Sequence, residues 1–585
     1  MAGTAGVGAS PKIRGYTDKQ SVAQGHGLRF CIANLSGPDV LQLPIRIVRL
    51  GLDEPTVALG RATARPHAIP THRAWEGSNW EVGYELDVGR DWTSGIYAAR
   101  VGEGTADSPD IFFIVRNARP GSTSPMVVQI PTTTINAYNN WGGASLYGYN
   151  SSSSPASAVS FNRPQYFDAI WKRGYGFADE WNARIKSFVR WMEAAGYVTD
   201  FITNNDLHEE GELLLNYQLF ISIGHDEYWT REMREHFDKF IASGGNAAIF
   251  GGNTCYWQIR FEPDEKTGTA NRRQVCHKKA DSDPVEDPSL KTVTWREVGY
   301  PENRSFGAGY CDRVGAWKGS GEPKPFKVCR PEHWAFYQTG LREGDAFGND
   351  DEETLLCYET NGVDYVMDGG RPVPTGKDGT PMNYLILALA ELPDWQAPGN
   401  AAIGVFTNVL AGGTVFNAAT TDWARGLEPC VQHCALLRTV TAKMTRNVIE
   451  HLTPARYACE RVTIDGGGIS HVYRPRSSDR PAAAGMAPLT SFKVYTAPID
   501  ADLVPIHRFR IGPPVIERLS QSPARRGWEP DGIPFYAYSA PADDRIPIYR
   551  VRFDDTANRR HERYSSSRSV AKGETLAGIA FYAAK

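Results

Sequence analysis

YQLFISIGHDEYWTREMREHFDKFIASGGNAAIFGG, residues 217–252, is the stretch that predicts the fold of this chain. Its apolar ends, 217–224 and 246–252, have the composition of buried strands. Between them, residues 230–245 predict an amphipathic helix, because apolar side chains recur at helical spacing and Thr230 is a favourable N-cap. A strand, a helix and a second buried strand in succession are typical of a parallel sheet covered by helices on both faces.

The same alternation continues in both directions along the chain. Residues 126–130 (MVVQI) and 197–203 (YVTDFIT) predict two more strands, and residues 183–196 predict a helix that ends at its final glycine. Three later segments fit the same domain: 385–392, 414–416 and 440–452. We therefore predict an α/β domain with a doubly wound parallel sheet over residues 125–455.

Three regions differ in composition from this core. Residues 12–117 consist of short alternating runs between turn signals, which is typical of a β-sandwich of immunoglobulin-like size. Residues 261–298 are charged and irregular and predict an exposed insertion within the α/β domain. Residues 464–488, rich in Gly, Pro, Ser and Arg, predict a linker.

The C-terminal residues 489–585 contain an internal repeat. VPIHRFR at 504–510 matches IPIYRVR at 546–552, and GIPFYA at 532–537 matches GIAFYA at 578–583. Two strand-rich units of about 40 residues predict a small β-rich module. Such a module could bind carbohydrate or a surface, and simple structural packing is the alternative.

Composition excludes several classes of protein. The chain has 585 residues, enough for three or four domains, and its net charge of −4 gives no reason to expect a nucleic acid or an anionic membrane as partner. The N-terminal sequence has no apolar h-region, and no apolar run reaches the roughly 18 residues of a transmembrane helix. The nine cysteines are scattered, so we expect no disulfide framework and a cytoplasmic location.

Polar and aromatic side chains follow four of the predicted strands, where ligands bind in a doubly wound sheet. They are Tyr138, Asn139, Asn140, Trp141, Tyr147 and Tyr149 after the first strand, Asn204, Asn205, Asp206 and His208 after the second, His225, Asp226, Glu227 and Tyr228 after the third, and Asn253, Cys255, Tyr256 and Trp257 after the fourth. We therefore predict a functional pocket at this edge of the sheet.

The residue types narrow the chemistry without fixing it. The chain has no Gly-x-Ser-x-Gly elbow and no Walker loop, and GHDE at 224–227 stands where a glutamine amidotransferase would place its cysteine, so a thiol mechanism is not expected. Cys430, His433 and Cys434 have metal-like side chains but lack a second pair at zinc spacing. His225 with neighbouring carboxylates and phenols favours a hard metal ion, and a hydrogen-bonded cluster without metal is the alternative.

Six segments together carry a resemblance to a known family: SGIYAAR (94–100), INAYNNWGGASLYGYN (135–150), ISIGHDEYWT (221–230), IFGGNTCYW (249–257), LLCYET (355–360) and GTVFNAATTDWARGL (413–427). On these motifs, residues 15 to about 455 resemble the large, beta-type subunit of N,N-dimethylformamidase and its relatives. The resemblance implies a glutamine amidotransferase-like fold and hydrolysis of a small amide to a carboxylate and an amine. It also implies a small, alpha-type subunit as partner and an oligomeric assembly.

The resemblance further implies a mononuclear Fe(3+) held by two tyrosinates and one glutamate. By the motifs, the glutamate is Glu227 of HDEYW, and the tyrosines are Tyr138 of NAYNNWGG and Tyr97 of SGIY. Tyr97 could instead be a sandwich-corner tyrosine that is anchored by a hydrogen bond. Tyr147 could replace Tyr138 as the ligand.

The remaining site residues come from the same resemblance. The supporting histidine and asparagine map onto His225 and Asn253, and the acidic catalytic partner maps onto Glu359 of CYET, for which capping or pairing on the surface is the alternative. His225 or Glu359 would move the proton of the attacking water, and Asn253 would donate to the oxyanion. A small apolar pocket for N-alkyl groups would be lined by Trp141, Tyr228 and Trp257.

The chain departs from the family pattern at both ends. The lectin-like domain that precedes the sandwich in the family is not expected here, and the repeated tail after residue 488 is an addition. These departures leave a rival interpretation, in which a non-catalytic or differently specific amidotransferase-like protein binds carbohydrate or a surface through its tail.

Overall fold

The structure, a computed structural model, describes residues 12–453 except 69–72, 103–107, 166–174, 311–313 and 409–411, and after residue 455 it describes ten strands. The chain divides into two compact units, one of Met1–Pro331 with Thr339–Lys443 and the other of Glu332–Gln338 with Met444–Lys585. The first unit is a mixed α/β body with several sheets, most of it strands. None of the described helices is long and apolar enough to span a membrane.

The described part of residues 12–117 consists of strands and loops, apart from one 3₁₀ turn. Its strands are β1 Ile13–Thr17, β2 Ser21–Ala23, β3 Gly27–Asn34, β4 Leu41–Leu50, β5 Thr56–Pro66, β6 Val82–Asp87, β7 Gly95–Val101 and β8 Ile111–Arg116. They hydrogen-bond in the order β1-β3-β5-β4-β7-β8-β2, and β6 pairs with β3. The core of this region contains Phe30, Ile47, Ala99 and Phe113, each from a different strand. Residues two positions away on the same strands join them, because alternate residues of a strand point to the same side of the sheet.

The rest of the first unit contributes fifteen described strands. They are β9 Met126–Ile130, β10 Ala158–Ser160, β11 Asp200–Thr203, β12 Leu219–His225, β13 Tyr228–Thr230, β14 Asn246–Gly252, β15 Trp257–Glu262, β16 Arg273–Val275, β17 Phe326–Val328, β18 Ala346–Phe347, β19 Tyr365–Asp368, β20 Arg371–Pro374, β21 Leu385–Leu392, β22 Gly399–Thr407 and β23 Thr414–Asn417. The main sheet has the order β11-β9-β12-β14-β23-β22-β21-β17-β18.

The prediction of a parallel sheet holds for one half of this main sheet. From β11 to β23 the neighbouring strands are parallel, whereas β23, β22, β21, β17 and β18 pair antiparallel. The reason is the length of the connections. Parallel neighbours need a crossover of a dozen residues or more, but β21, β22 and β23 follow one another after short turns, which favours antiparallel pairing.

The described part of the chain also contains helices. They are α1 Thr132–Tyr138, α2 Phe177–Glu180, α3 Lys186–Ala194, α4 Asn204–Glu210, α5 Arg231–Ala242, α6 Asn303–Phe306, α7 Glu428–Gln432 and α8 Val440–Leu452, with a π-helical turn at Trp181–Ile185 and 3₁₀ turns at Ala74–Glu76, Gly211–Asn216, Ala280–Ser282, Pro288–Leu290, Trp334–Phe336 and Trp423–Leu427. The predicted helix over 183–196 therefore begins earlier and is interrupted by the π-helical turn.

The helix predicted over 230–245 is confirmed as α5. Thr230 is its N-cap, and its hydroxyl oxygen accepts from Met233 N at 3.3 Å. Phe237 and Phe240 belong to the core cluster that also contains residues of β12 and β14. Truncating a buried phenylalanine such as Phe237 to alanine would cost about 3–5 kcal/mol, because the cavity adds to the lost burial.

The prediction of an exposed insertion at 261–298 holds only in part, because exposed stretches such as 265–270 and 286–288 alternate with packed ones. Strands β15 and β16 lie in a four-stranded sheet of order β10-β16-β15-β13, and Gln274, Cys276 and Trp295 are buried. Some charges of this segment are paired, for example Arg273 with Glu265 at 2.9 Å, so part of a charged sequence belongs to a packed structure. A separate β19–β20 hairpin completes the unit.

The C-terminal strands form a ten-stranded sheet. They are β24 Arg456–Ile464, β25 Gly468–Pro475, β26 Thr490–Lys493, β27 Leu503–Ile511, β28 Ile516–Ser520, β29 Glu529–Pro530, β30 Phe535–Tyr538, β31 Arg545–Asp554, β32 Arg560–Ser565 and β33 Glu574–Ala584. The stretch predicted as a linker, 464–488, overlaps β25, and its residues 476–488 lie outside the described part. The predicted domain boundaries stay predictions.

The sequence repeat corresponds to a repeat in strand pairing. In the first copy β27 pairs antiparallel with β30, with Val504 opposite Ala537. In the second copy β31 pairs antiparallel with β33, with Ile546 opposite Ala583. The matched sequence segments therefore occupy matched places in two similar strand pairs.

Candidate active site

The candidate site lies where parallel strands of the main sheet end. His225 is the last residue of β12, Glu227 follows two residues later, and Asn253 comes directly after β14. Strands β12 and β14 are neighbours, with His225 opposite Gly252. Tyr138 is the last residue of α1, which follows β9 on the other side of β12. The topology therefore brings the three loops together, as the sequence predicts.

Two phenols converge on one carboxylate at this edge. The Tyr138 hydroxyl donates to Glu227 Oε2 at 2.9 Å, and the Tyr147 hydroxyl donates to Glu227 Oε1 at 2.9 Å. The two rings stack with centroids 4.3 Å apart. Glu227 is 3% exposed, so its charge depends on these donors and on the neighbouring imidazole.

An imidazole joins this carboxylate to a second one. His225 Nε2 lies 3.2 Å from Glu227 Oε2 and 2.9 Å from Glu359 Oε2. Asn253 Nδ2 donates to Glu359 Oε2 at 3.1 Å and lies 3.4 Å from His225 Nε2. Glu359 is buried rather than paired on the surface. In the described part of the chain the buried Asn253 Oδ1 has no hydrogen-bond partner, so it can still accept one.

Burial and charge set the protonation of these groups. Burial, reinforced by the Glu227 charge, raises the pKa of both Tyr138 and Tyr147 well above 10, so both phenols keep their protons. Burial opposes a charged His225, but Glu359 and Glu227 outweigh it and raise its pKa to about 10. Burial also opposes ionisation of Glu227, yet His225 and the other donors hold its pKa below the usual range. The resulting centre is an imidazolium between two carboxylates.

The backbone around His225 requires glycine and threonine at defined places. Gly224 has φ +69°, and a Cβ there would come within 2.7 Å of Glu180 Oε1, so glycine is needed on both grounds. From α1, Thr134 Oγ1 accepts from Glu227 N at 2.8 Å, and Thr133 Oγ1 donates to Tyr228 O at 2.7 Å. Helix α1 thus fixes the loop that carries Glu227 as well as Tyr138.

The structure does not bring Tyr97 to this cluster. Tyr97 lies in β7, in the core of the N-terminal β region, where its hydroxyl donates to Thr93 O at 2.6 Å. Its ring stacks on Trp92 and Phe113, with centroids 5.2 and 5.6 Å away. This is the geometry of the alternative, a tyrosine anchored by a backbone hydrogen bond. Tyr147 is the second phenol beside Glu227, in addition to Tyr138 rather than in its place.

Several residues that the sequence places in the pocket have other contacts. Trp141 is fully buried, packs on Trp80 at 5.9 Å and donates to Ser78 Oγ at 3.1 Å. Tyr228 is fully buried, and its hydroxyl donates to the Tyr147 hydroxyl at 2.5 Å. The polar group after the second strand forms α4 instead of a loop and does not join the cluster: Asn204, Asn205, Asp206 and His208.

Lys278 is a site residue that the sequence reasoning missed. Its Nζ lies 3.2 Å from the centre of the Tyr147 ring, 4.9 Å from that of Trp257 and 5.4 Å from that of Tyr228. Burial lowers the pKa of this amine. The residue belongs to the segment interpreted as an exposed insertion, and no motif in the sequence separates it from the other lysines there.

The donor set limits which metal could bind. Among the described residues no three His, Cys, Asp or Glu side chains form a metal-binding group by themselves. A metal ion here would need the phenol oxygens of Tyr138 and Tyr147 together with Glu227. Such all-oxygen ligands suit a hard cation.

The chain thus combines an α/β body with a buried centre of two phenols, two carboxylates and an imidazole at the ends of parallel strands. Residues 48–435, well over half of the chain, match the family described as N,N-dimethylformamidase beta subunit-like, C-terminal. The chain belongs to this family.

Two curated relatives carry the name N,N-dimethylformamidase beta subunit. The relative from Alcaligenes sp is 24% identical over an alignment of 221 residues that covers 32% of this chain and 29% of the relative. The relative from Paracoccus aminophilus is 23% identical over 221 residues, with the same shares of 32% and 29%. The chain therefore matches less than a third of the length of these relatives.

Among solved structures, a cycloisomaltooligosaccharide glucanotransferase from Paenibacillus sp., complexed with cycloisomaltoheptaose, matches with a TM-score of 0.16 at 9% identity over 98% of each chain. A similarity of that size carries no argument about the fold.

Proposed function

We propose that this chain is an iron-dependent hydrolase of small linear amides, similar in activity to N,N-dimethylformamidase. The observation that carries the proposal is the convergence of Tyr138 and Tyr147 on Glu227, beside a buried His225–Glu359 pair. The names of the two curated relatives support the reaction class. The proposal includes a glutamine amidotransferase-like fold for the α/β body and an immunoglobulin-like fold for residues 12–117.

The proposed metal is a single Fe(3+) held by Tyr138, Tyr147 and Glu227. Three anionic oxygens would cancel the charge of a ferric ion, whereas a softer ion would favour sulfur or nitrogen ligands. The high pKa of the buried phenols also favours a highly charged ion, because only a strong Lewis acid displaces such protons. When bound, ferric iron would polarise the amide carbonyl and acidify a water molecule.

The neighbouring residues would do the proton chemistry. Because the raised pKa of His225 keeps a proton on its ring, a proton taken from water would be held at Glu359 Oε2, which lies 2.9 Å from His225 Nε2. The same proton can then pass to the departing amine. Asn253 Nδ2 keeps Glu359 in place, and Asn253 Oδ1 is free to accept a hydrogen bond from the water or from the amine.

Partners and location follow from the same proposal. Because the relatives are named beta subunits, we expect a small alpha-type subunit and an oligomer. A cytoplasmic location is supported by the free thiols of the seven described cysteines. Carbohydrate binding by the repeated C-terminal strands is the competing proposal. It rests on the sequence repeat, whose two copies form similar strand pairs, β27–β30 and β31–β33.

The decisive experiment is metal analysis of protein expressed with iron available, combined with an assay of dimethylamine release from dimethylformamide. We expect close to one iron per chain, a visible tyrosinate-to-iron absorption band and amide hydrolysis. Added zinc or magnesium should not replace the iron. Colourless, iron-free protein that binds glycans and releases no amine would show that the competing function is correct.

A further inference from the structure

A fully buried arginine lies beneath the loop that carries both phenols. Arg163 is 0% exposed, and its Nε donates to Ser160 O at 2.9 Å. Its Nη1 donates to Trp141 O at 3.0 Å and to Ala144 O at 3.3 Å. Its Nη2 donates to Asn136 O at 2.9 Å and to Asn136 Oδ1 at 3.3 Å. Two of the three nitrogens, Nη1 and Nη2, thus contact residues on both sides of Tyr138.

This guanidinium is costly to bury. All of its acceptors are neutral, and no carboxylate among the described residues pairs with it. Burial alone lowers its pKa to about 9. An unpaired buried cation costs several kcal/mol, so the hydrogen bonds to the loop must offset that cost. The carbonyls of Trp141 and Ala144 in turn gain a donor that an irregular buried loop cannot supply from its own backbone.

The loop itself makes a sharp reversal between the two phenols. After α1 ends at Tyr138, Gly142 and Gly143 adopt φ +88° and +98°. Leu146 N then donates back to Ala137 O at 3.0 Å, which brings Tyr147 beside Tyr138. Arg163 contacts this reversal at its start, at Asn136, and again near its turn, at Trp141 and Ala144.

We propose that Arg163 is the positioning residue that holds the 136–147 reversal closed, so that both phenol oxygens face Glu227. The inference rests on the proposed metal centre, whose shape Arg163 would determine through the 136–147 loop. Arginine is required because its planar fork places several N–H donors in fixed directions, whereas a lysine offers one nitrogen. Arg163 touches neither the metal ligands' oxygens nor the proposed proton carriers, so it acts only through the loop.

The chain offers a matched control in Arg234. This arginine is also 0% exposed, and it donates to Tyr300 O at 2.6 Å and to Pro301 O at 2.7 Å, in a segment that carries no proposed ligand. Arg163→Lys and Arg234→Lys therefore remove similar hydrogen bonds from similar depths. Arg163→Met is a third variant, which removes the buried charge together with its desolvation cost and should fold even if the lysine variant does not.

The test compares iron dissociation constants, the tyrosinate-to-iron absorption maximum and the thermal midpoint of the three variants with those of the unmodified chain. We expect the Arg163 variants to bind iron about 10- to 100-fold more weakly and to show a shifted, broader band. We expect Arg234→Lys to lose thermal stability with an unchanged band and affinity.

The outcomes separate this inference from the proposed function. If the unmodified chain takes up no iron and has no visible band, the proposed function fails and the positioning role fails with it. If the unmodified chain is coloured, and the folded Arg163 variants keep its band and its iron affinity within twofold, Arg163 serves only stability and this inference alone is overturned.

Discussion

Two groups of buried tyrosines in this chain differ in what their hydroxyls face. Tyr97 is 1% exposed and Tyr138 is 8% exposed, and burial raises the pKa of both. The Tyr97 hydroxyl donates to a backbone carbonyl of its own β region. The Tyr138 and Tyr147 hydroxyls donate to a carboxylate on another element. Depth therefore does not distinguish a structural tyrosine from a site tyrosine, but the acceptor does.

Replacing that acceptor should produce the largest effect. Glu227→Gln keeps the volume of the side chain but removes the charge on which both phenols converge. We expect loss of bound iron and a fall in amide hydrolysis of at least about 1,000-fold, since the metal contributes several kcal/mol to the barrier. Metal analysis and the amine-release assay measure both. A variant that keeps one iron per chain would remove Glu227 from the ligand set.

Removing one site phenol should have the next largest effect. In Tyr147→Phe the ring stays against Tyr138 and Lys278 while one ligand oxygen is lost. We expect iron affinity to fall by at least about 100-fold, because loss of a residue that only supports a ligand already costs up to that much. Titration with iron, followed by the visible band, gives the affinity. Unchanged colour and affinity would show that Tyr147 is not a ligand, and Tyr97 would again be a candidate for the second tyrosinate.

Removing the structural phenol should have a smaller effect of a different kind. Tyr97→Phe deletes the hydrogen bond to Thr93 O but keeps the stacked ring, so the free energy of unfolding should fall by about 1 kcal/mol. Iron content, colour and activity should stay at the level of the unmodified chain. Denaturant unfolding measures the loss of stability, and metal analysis of the same sample measures the iron content. Loss of iron would contradict the distinction between Tyr97 and the two tyrosines beside Glu227.

The smallest expected effect is a pH dependence that belongs to Tyr97. Burial raises its pKa to about 12, whereas an unfolded phenol ionises near the reference value of about 10. The unfolded chain therefore releases this proton first, and the stability contributed below pH 10 is lost as the pH rises towards 12. The free energy of unfolding, measured from pH 9 to 11.5, should fall less steeply with pH in Tyr97→Phe than in the unmodified chain. Identical slopes in both chains would show that the phenol is not protected in the fold.

Much of the scaffold could be predicted because strong local patterns decide it. The strands 126–130 and 246–252 have the predicted bounds, and Thr230 caps α5 as its position before an amphipathic run requires. The antiparallel half of the sheet was missed because β22, Gly399–Thr407, was not among the predicted strands. Without it, the connection between 392 and 414 is long enough for a parallel crossover. Nor does helical periodicity reveal the π-helical turn ahead of α3.

The site was less predictable than the sheet. Strand ends located His225, Glu227 and Asn253 correctly, because topology alone collects them. Whether Tyr97 reaches the site, and whether Tyr147 lies beside Glu227, depends on where each hydroxyl points, which spacing along the chain does not encode. The glycine pair at 142–143 was the available signal, since two left-handed residues allow the reversal that returns Tyr147 to Tyr138. Lys278 had no comparable signal.

The two hydrogen bonds onto Glu227 would couple binding of the proposed iron to release of protons. Each phenol proton lies between two oxygens that the ion would need as ligands, so binding one ion would release two protons. A trivalent ion that displaces two protons raises the charge of the centre by only one. Metal uptake and acidity then compete directly, and the apparent affinity should change by about 100-fold per pH unit. Mild acid would therefore release the ion and restore the hydrogen bonds from Tyr138 and Tyr147 to Glu227.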